Sequence, residues 1–220
     1  MSRVYTVKEL YYTLQGEGGQ AGRAAVFCRF SGCNLWTGRA DDRGSATCRF
    51  CDTDFVGTDG PGGAKFRGAD ALADAAWAEW VGQRSGRGAG ARPLVVCTGG
   101  EPLLQVDAEL VAALKRRGFE IAVETNGTQH APEGLDWICV SPKGSAPLRL
   151  TQGDELKLVF PQAEPEAQPA MFEGLSFRHF FLQPLDGPNR DVHTRMTVEY
   201  CLEHPQWRLS LQTHKLVGLP

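Results

Sequence analysis

Apolar, β-branched runs recur along the chain at Val4–Tyr12, Ala24–Phe30, Pro93–Thr98, Glu120–Glu124, Trp137–Ser141, Glu155–Phe160, Arg178–Gln183 and Leu209–Gln212. Several are apolar at nearly every position, the pattern of strands covered on both faces. Helical spacing occurs between some of them. Ala69–Trp80 is alanine-rich, with Leu72, Ala76 and Trp80 in phase. Gln105–Arg117 has Leu110, Leu114 and Arg117 in phase and stops at Gly118, a C-cap signal. Asp191–His204 carries Val192, Met196, Val198, Tyr200 and Cys201. Strand and helix alternate, with connections long enough for parallel pairing, and this predicts an α/β fold. About six core strands are too few for a closed eight-stranded barrel. The expected architecture is a partial, open TIM-like β/α barrel of about six parallel strands. Gly57–Gly68 and Gly82–Arg92 read as loops. The second contains Gly86-Arg87-Gly88-Ala89-Gly90, but it follows a helix and precedes a strand. That is the reverse of a dinucleotide fingerprint, so it reads as surface loop.

Composition narrows the function classes. A chain of 220 residues fits one domain, 1–220. Hydrophobic residues at 42% and charged residues at 22% exclude disorder. A formal charge of −3 argues against nucleic acid as a partner. No apolar run approaches the roughly 18 residues of a membrane span. Met1-Ser2-Arg3-Val4-Tyr5 has no signal-peptide core. A cytoplasmic protein is expected, in a compartment where disulfides do not persist, and that makes seven cysteines informative.

Cys48-Arg49-Phe50-Cys51 is a Cys-x-x-Cys, a spacing that lets two thiolates converge on one metal centre. Cys33 precedes it by an excursion, Trp36–Thr47, polar enough to leave the three thiols close in space. A structural zinc site needs four ligands, which His179, His193 or His214 would have to complete. A 4Fe–4S cluster on three thiolates leaves one iron open to a substrate or cofactor. Buried thiols and a redox Cys-x-x-Cys are further readings, although Phe50 offers no charge to stabilise a thiolate. Cys28, Cys97, Cys139 and Cys201 sit in apolar runs and read as packing residues.

The cysteine loop followed by Asp52-Thr53 resembles that of radical S-adenosylmethionine (SAM) enzymes, with fourteen residues in place of the usual three before Cys48. Thr98-Gly99-Gly100-Glu101-Pro102, between a strand and a helix, resembles their Gly-Gly-Glu segment. Glycines permit close backbone approach and Glu101 can pair with an ammonium. More narrowly, the chain resembles the 7-carboxy-7-deazaguanine synthases. The resemblance is carried by Leu14–Gly18, Phe27–Trp36, Cys51–Asp54, Glu124–Gly127, Ser141–Lys143, Phe181–Pro184 and Gln212–Lys215, in family order.

The resemblance implies reduction of SAM at the open iron. The 5′-deoxyadenosyl radical then takes a hydrogen from 6-carboxy-5,6,7,8-tetrahydropterin, and ring contraction with loss of ammonia gives 7-carboxy-7-deazaguanine, on the way to queuosine-type nucleosides. It assigns Cys33, Cys48 and Cys51 to the cluster. Phe50, Asp52, Gly100, Glu101, Ser141, Lys143 and Gln183 fall to SAM. Leu14, Gln15, Gly16, Glu17, Arg29 and Thr98 fall to substrate, and Thr53 to Mg²⁺; separately, the apolar run Leu216–Pro220 is expected to pack, which would bring the Pro220 carboxylate to the substrate pocket. Glu17 can accept from the pterin N–H edge, and Arg29 offers a fork for the carboxylate. A lone hydroxyl is a poor cation site, so substrate and water would have to complete the shell at Thr53. No protein side chain is singled out as catalytic beyond the cofactor radical. A one-electron reductant such as flavodoxin and a homodimer are also implied. The excursion at 36–47 is expected to pack against a reductase or to replace a missing helix.

Plainer readings stand beside these. Glu17 before Gly18-Gly19 can be a hairpin residue, Arg29 a solvent-facing strand residue, Thr53 a turn cap and Lys143 ordinary surface. Glu124 can simply pair with Lys143 or Lys157. Rival functions are a glycyl-radical activating enzyme and a zinc-stabilised binding module.

Overall fold

A computed structural model describes residues 2–82 and 92–220, so the glycine stretch at 86–90 lies outside the described residues. Among these, strands β1 (Val4–Leu14), β2 (Ala24–Phe30), β3 (Ala64–Arg67), β4 (Leu94–Gly99), β5 (Glu120–Thr125), β6 (Trp137–Val140), β7 (Gln152–Phe160), β8 (Ser176–Pro184) and β9 (Trp207–Leu209) form one sheet. Its order is β3-β1-β2-β4-β5-β6-β7-β8-β9, open between β3 and β9. The helices are α1 (Ala69–Gly82), α2 (Ala108–Arg116), α3 (Arg190–Glu203) and the short α4 (Thr213–Val217). No described helix is long and apolar enough to cross a membrane.

The sheet is mostly parallel and unclosed, as expected, but it exceeds the expected six strands. β2 and β4 through β9 run parallel. β1 is antiparallel to both β2 and β3. The link from Leu14 to Ala24 is too short for a crossover, so these two strands can only pair antiparallel. The loop reading of Gly57–Gly68 is corrected by β3, whose Ala64 and Phe66 are half-buried while Lys65 and Arg67 are exposed. Four alternating residues after a glycine-rich turn make a short edge strand that carries little apolar signal.

Two boundaries move for identifiable reasons. α2 starts at Ala108 because the Asp107 side chain accepts from the Leu110 N–H at 2.9 Å and caps it. Gln105, expected inside that helix, donates from its amide to the carbonyls of Thr6 and Ser31. The last strand is Trp207–Leu209, earlier than the Leu209–Gln212 run. Trp207 is buried there, edge-on to Phe180 at 5.3 Å.

Alternation in β2 sorts the two faces of the sheet. Val26, Cys28 and Phe30 join Val95, Cys97, Ile121 and Val123 under α1 and α2, where Leu72, Ala76, Trp80, Leu110 and Leu114 complete the main core. A second cluster, with Val140, Leu156, Leu158, Leu182 and Trp207, packs against Tyr200 and Cys201 of α3. On the opposite face Ala25, Leu94, Val96 and Ala122 form a small apolar base. Further along the same strands that face turns polar. Leu110→Ala should cost about 2–5 kcal/mol, the usual range for emptying a fully buried leucine site. Urea unfolding of the variant against wild type measures it.

Candidate active site

The polar half of that face is the wall of a cavity of about 540 Å³. Arg29, Thr98, Glu124, Lys157 and Gln183, from β2, β4, β5, β7 and β8, point into it. In parallel strands every C-terminal end lies on one edge, so loops from distant sequence meet there. The lining includes Leu14, Gln15, Glu17, Cys33, Cys48, Phe50, Cys51, Asp52, Thr53, Gly100, Ser141, Lys143 and Pro220. Of the site residues expected from sequence, Gly16 and Glu101 lie outside the lining.

The thiols come together because the excursion closes on itself. The N–H groups of Thr47 and Cys48 both donate to the Leu35 carbonyl, at 3.1 and 3.5 Å. Between them lies one 3-10 helical turn, Ala40–Ser45. Accepting a hydrogen bond from Cys48 pulls the Cys51 thiol down to about 6, and donating it pushes Cys48 far up. Burial raises Cys33. The ammonium of Lys143 lowers both members of the pair. Cys28, Cys97 and Cys139 are buried elsewhere, and Cys201 lies in α3. Among the described residues no three His, Cys, Asp or Glu side chains converge on a single ion. Thiolates that each take a different iron of a cubane stand farther apart than ligands of one ion. Three thiols on one cavity wall beside a cation therefore suit a 4Fe–4S cluster with an open iron.

The Gly-Gly-Glu turn is set by close backbone approach. A Cβ on Gly99 would collide with the Phe30 carbonyl, and one on Gly100 with the Gly32 carbonyl. The Glu101 N–H donates to Gly32 O at 2.9 Å. The Glu101 carboxylate points into the protein and is fully buried. It accepts from Leu103 N (2.9 Å), Thr125 Oγ1 (2.7 Å) and Asn126 N (2.8 Å). Burial nevertheless raises its pKa. Asn126 donates from its side chain to Asn34 at 3.0 Å, next to Cys33. Glu101 thus braces β4 against β5 and the cysteine loop.

An ionic floor lies below. Lys157 Nζ sits 2.6 Å from Glu17 Oε2 and 2.5 Å from Glu124 Oε2. Gln15 donates to Glu124 at 2.8 Å, and Gln183 and Gln212 donate to Glu17 at 3.1 and 2.9 Å. Burial would raise Glu17, but Lys157 above all, with Gln212, brings it down to about 2. Burial would lower Lys157, but the surrounding acids hold it well above its usual value. Glu155, buried next to Lys157 and Glu124, accepts from Gly19 N at 2.7 Å and is raised by burial.

At the mouth, Lys143 donates to Ser141 Oγ at 2.5 Å and stands 5.9 Å from the Phe50 ring centre. Lys215 bridges Asp52 and Asp186 at 2.9 and 2.6 Å. The Gly16 carbonyl accepts from Thr213, and a Cβ on Gly16 would collide with His214. Thr13 Oγ1 donates to the Pro220 carbonyl at 3.4 Å. Arg29 pairs with Glu9 at 2.6 Å and donates to the Tyr11 hydroxyl at 3.2 Å. The plainer reading that pairs Glu124 with Lys157 holds, while sequence reasoning gave no site role to Glu155, Gln212 or Glu9. The alternation Glu155-Leu156-Lys157-Leu158 inside an apolar run was the available signal, since it puts two charges on one face of a buried strand.

No family model matches the chain. The 7-carboxy-7-deazaguanine synthase of Caulobacter vibrioides is 63% identical over 216 residues, covering 98% of this chain and 99% of its own. That of Bacteroides thetaiotaomicron is 38% identical and covers 97% of each chain. The crystal structure of QueE from Escherichia coli matches with a TM-score of 0.66 at 27% identity, over 94% of this chain and 93% of that one. An open, mainly parallel sheet with a three-cysteine loop and a Gly-Gly-Glu turn at one strand edge defines a radical SAM lyase. The chain belongs to the 7-carboxy-7-deazaguanine synthase family.

Removing the buried cation tests the floor. Lys157→Met leaves Glu17 and Glu124 facing each other unpaired and should cost about 3–5 kcal/mol. Because the Glu17 pKa is depressed, its stabilisation is full above the ordinary carboxylate range near 4.3 and is lost as pH falls towards 2. In Lys157→Met the main cause of that depression is gone and burial raises Glu17 instead, so the acid-side loss should shrink or reverse, the variant regaining stability as pH falls through the carboxylate range. Denaturant unfolding at several pH values reads both effects.

Proposed function

We propose that this chain converts 6-carboxy-5,6,7,8-tetrahydropterin to 7-carboxy-7-deazaguanine with loss of ammonia, in 7-deazapurine (queuosine-type) biosynthesis, through the residues gathered on this one cavity. The observation that carries the reading is that Glu17, Arg29 and the thiols of Cys33, Cys48 and Cys51, from separate segments of the chain, line the same cavity in a chain of this family. Cys33, Cys48 and Cys51 would hold the cluster. When bound, it supplies the one-electron reduction of SAM that starts hydrogen abstraction from the pterin.

The chain's own residues bind and orient. Phe50 gives the adenosyl group an apolar face, with Asp52 and Gln183 at its polar edges. Lys143 and Ser141 offer a cation and a hydroxyl to the cofactor's carboxylate and ribose. Gly100 lets backbone approach the amino group, while Glu101 fixes that turn from behind and offers its charge at short range. At the pterin edge, substrate N–H groups would replace the neutral amides of Gln183 and Gln212 on Glu17, leaving its bond to Lys157 in place. Gln15 and the backbone of Leu14 and Gly16 flank that edge. Arg29 would turn part of its fork from Glu9 to the substrate carboxylate, with Thr98 beside it and Pro220 closing the pocket. Mg²⁺ would sit at Thr53, its shell completed by that carboxylate and water.

The same reading makes residues 1–220 one catalytic unit with an insert at 36–47, served by a one-electron reductant such as flavodoxin. Free thiols at all seven cysteines suit a cytoplasmic location. Exposed Leu202, Leu216 and Val217 on α3 and α4 suit a homodimer.

The test is anaerobic purification and turnover with the pterin acid, SAM and a one-electron reductant. The expected result is a brown protein with about four irons per chain that forms the deazapurine. A colourless protein holding one zinc would overturn it. Cofactor cleavage without deazapurine would favour the activating-enzyme alternative. Cys48→Ala should lose the cluster, read by iron analysis, because two thiolates cannot hold the cubane at one open site. Glu17→Gln should leave cofactor cleavage possible and weaken pterin binding by about 1–3 kcal/mol, read as a rise in Kd.

A further inference from the structure

The excursion does more than return the chain to Cys48. Its helical turn carries Arg43 to the back of the Cys48–Cys51 turn. Arg43 Nη1 donates to the carbonyls of Arg49 and Cys51, 3.0 Å to each. The guanidinium lies over the Trp36 ring, 3.9 Å from its centre. Trp36 is itself held. Its indole N–H donates to Arg39 O at 3.0 Å and Asp42 Oδ1 at 2.9 Å, and its ring stands edge-on to the buried Phe55 at 5.6 Å. Asp42 accepts in addition from Thr37 Oγ1 at 2.5 Å. Neither Arg43 nor Trp36 belongs to the residues assigned to SAM, substrate or metal.

Two consequences follow from one guanidinium nitrogen that donates to both carbonyls. A planar guanidinium stacked on an indole has little freedom left, so the two carbonyls it binds are held at a fixed separation. The turn that presents Cys48 and Cys51 then inherits that rigidity. Arginine also keeps its charge at any pH a protein survives. A fixed cation on a ligand's own backbone stabilises the more negative of two redox states, and net charge and hydrogen bonding are the levers that set a cluster's potential. Lys143, from the segment after β6, brings a further cation to the same cavity.

We propose that Arg43 is a positioning residue for the iron–sulfur cluster: it clamps the Cys48–Cys51 turn by its carbonyls and supplies a fixed positive charge that favours the reduced state. This rests on the reading of Cys33, Cys48 and Cys51 as the cluster ligands. The insert then serves as a built-in brace, placed where a shorter loop would have no side chain to reach the back of the turn.

The experiment compares anaerobically reconstituted wild type with Arg43→Gln and Arg43→Lys. It reads the cluster's midpoint potential by EPR-monitored redox titration and the rate of iron extraction by a chelator, with thermal unfolding of the metal-free chains as the folding control. Arg43→Gln should lower the reduced-to-oxidised ratio at fixed potential on the order of tenfold, about 59 mV for one electron. Arg43→Lys keeps the charge, so its potential should stay close to wild type. Both variants lose the guanidinium and should give up iron faster. A wild-type potential in Arg43→Gln overturns the charge assignment, and so does an equal fall in Arg43→Lys. If Arg43→Gln does not fold, an unchanged extraction rate in Arg43→Lys overturns the clamp. Wild type that takes up no cluster at all sinks the ligand reading instead, and does so before any variant is compared.

Discussion

The site depends on a single buried ammonium. Lys157 projects from β7 into a region where it pairs with both Glu17 and Glu124. Those acids come from different parts of the chain, one from the link after β1 and one from β5. The lysine therefore fixes three segments to each other. Gln15, Gln183 and Gln212 extend the contact to β8 and to the segment after β9. An ion pair in the interior is weak evidence for net stability, since desolvation offsets much of the attraction. Its value here is geometric. It sets the position of Glu17, and with it the shape of the cavity floor.

Around that floor the site is assembled from close backbone contacts. Gly99 and Gly100 let β4 come against Phe30 and Gly32, which places the cysteine loop beside the strand edge. Glu101, Asn126 and Asn34 then stitch the edge to the loop with buried hydrogen bonds. A polar network of this kind specifies one arrangement, because leaving any member unpaired would be costly. Such rigidity is what a site needs when its chemistry passes through a reactive species that must meet one hydrogen atom and no other.

Most of the fold was legible because the strands are continuous apolar runs and the helices keep their phase. β3 escaped notice because a four-residue edge strand has too few positions for alternation to stand out from a loop. β9 shifted because a single buried tryptophan outweighed a longer polar-apolar stretch. In the site, residue types gave the thiols, the glycines and the acids. They could not show where Glu101 points, which depends on the N–H groups of Leu103 and Asn126 that only the folded chain brings together. Nor could they show that Arg29 already has Glu9 and Tyr11 as partners. Lys157 was legible as a possible partner of Glu124, which it is, but its burial was not, since a charge inside an apolar run reads as a solvent-facing break until the opposite face proves to be covered.

The neck of the cysteine loop alters what distance along the chain means. Two amides on one side and the Leu35 carbonyl on the other close the excursion within one hydrogen bond. What lies between is a side branch whose contour length does not set the separation of its two ends, while Arg43 reaches back from it to the thiol turn. Ligand sets recognised by counting residues will miss such sites, whereas the pair of residues at the neck and the turn beyond it would find them. It also means that what the branch contributes at the thiols is carried by the few side chains that reach back past the neck, Arg43 first among them.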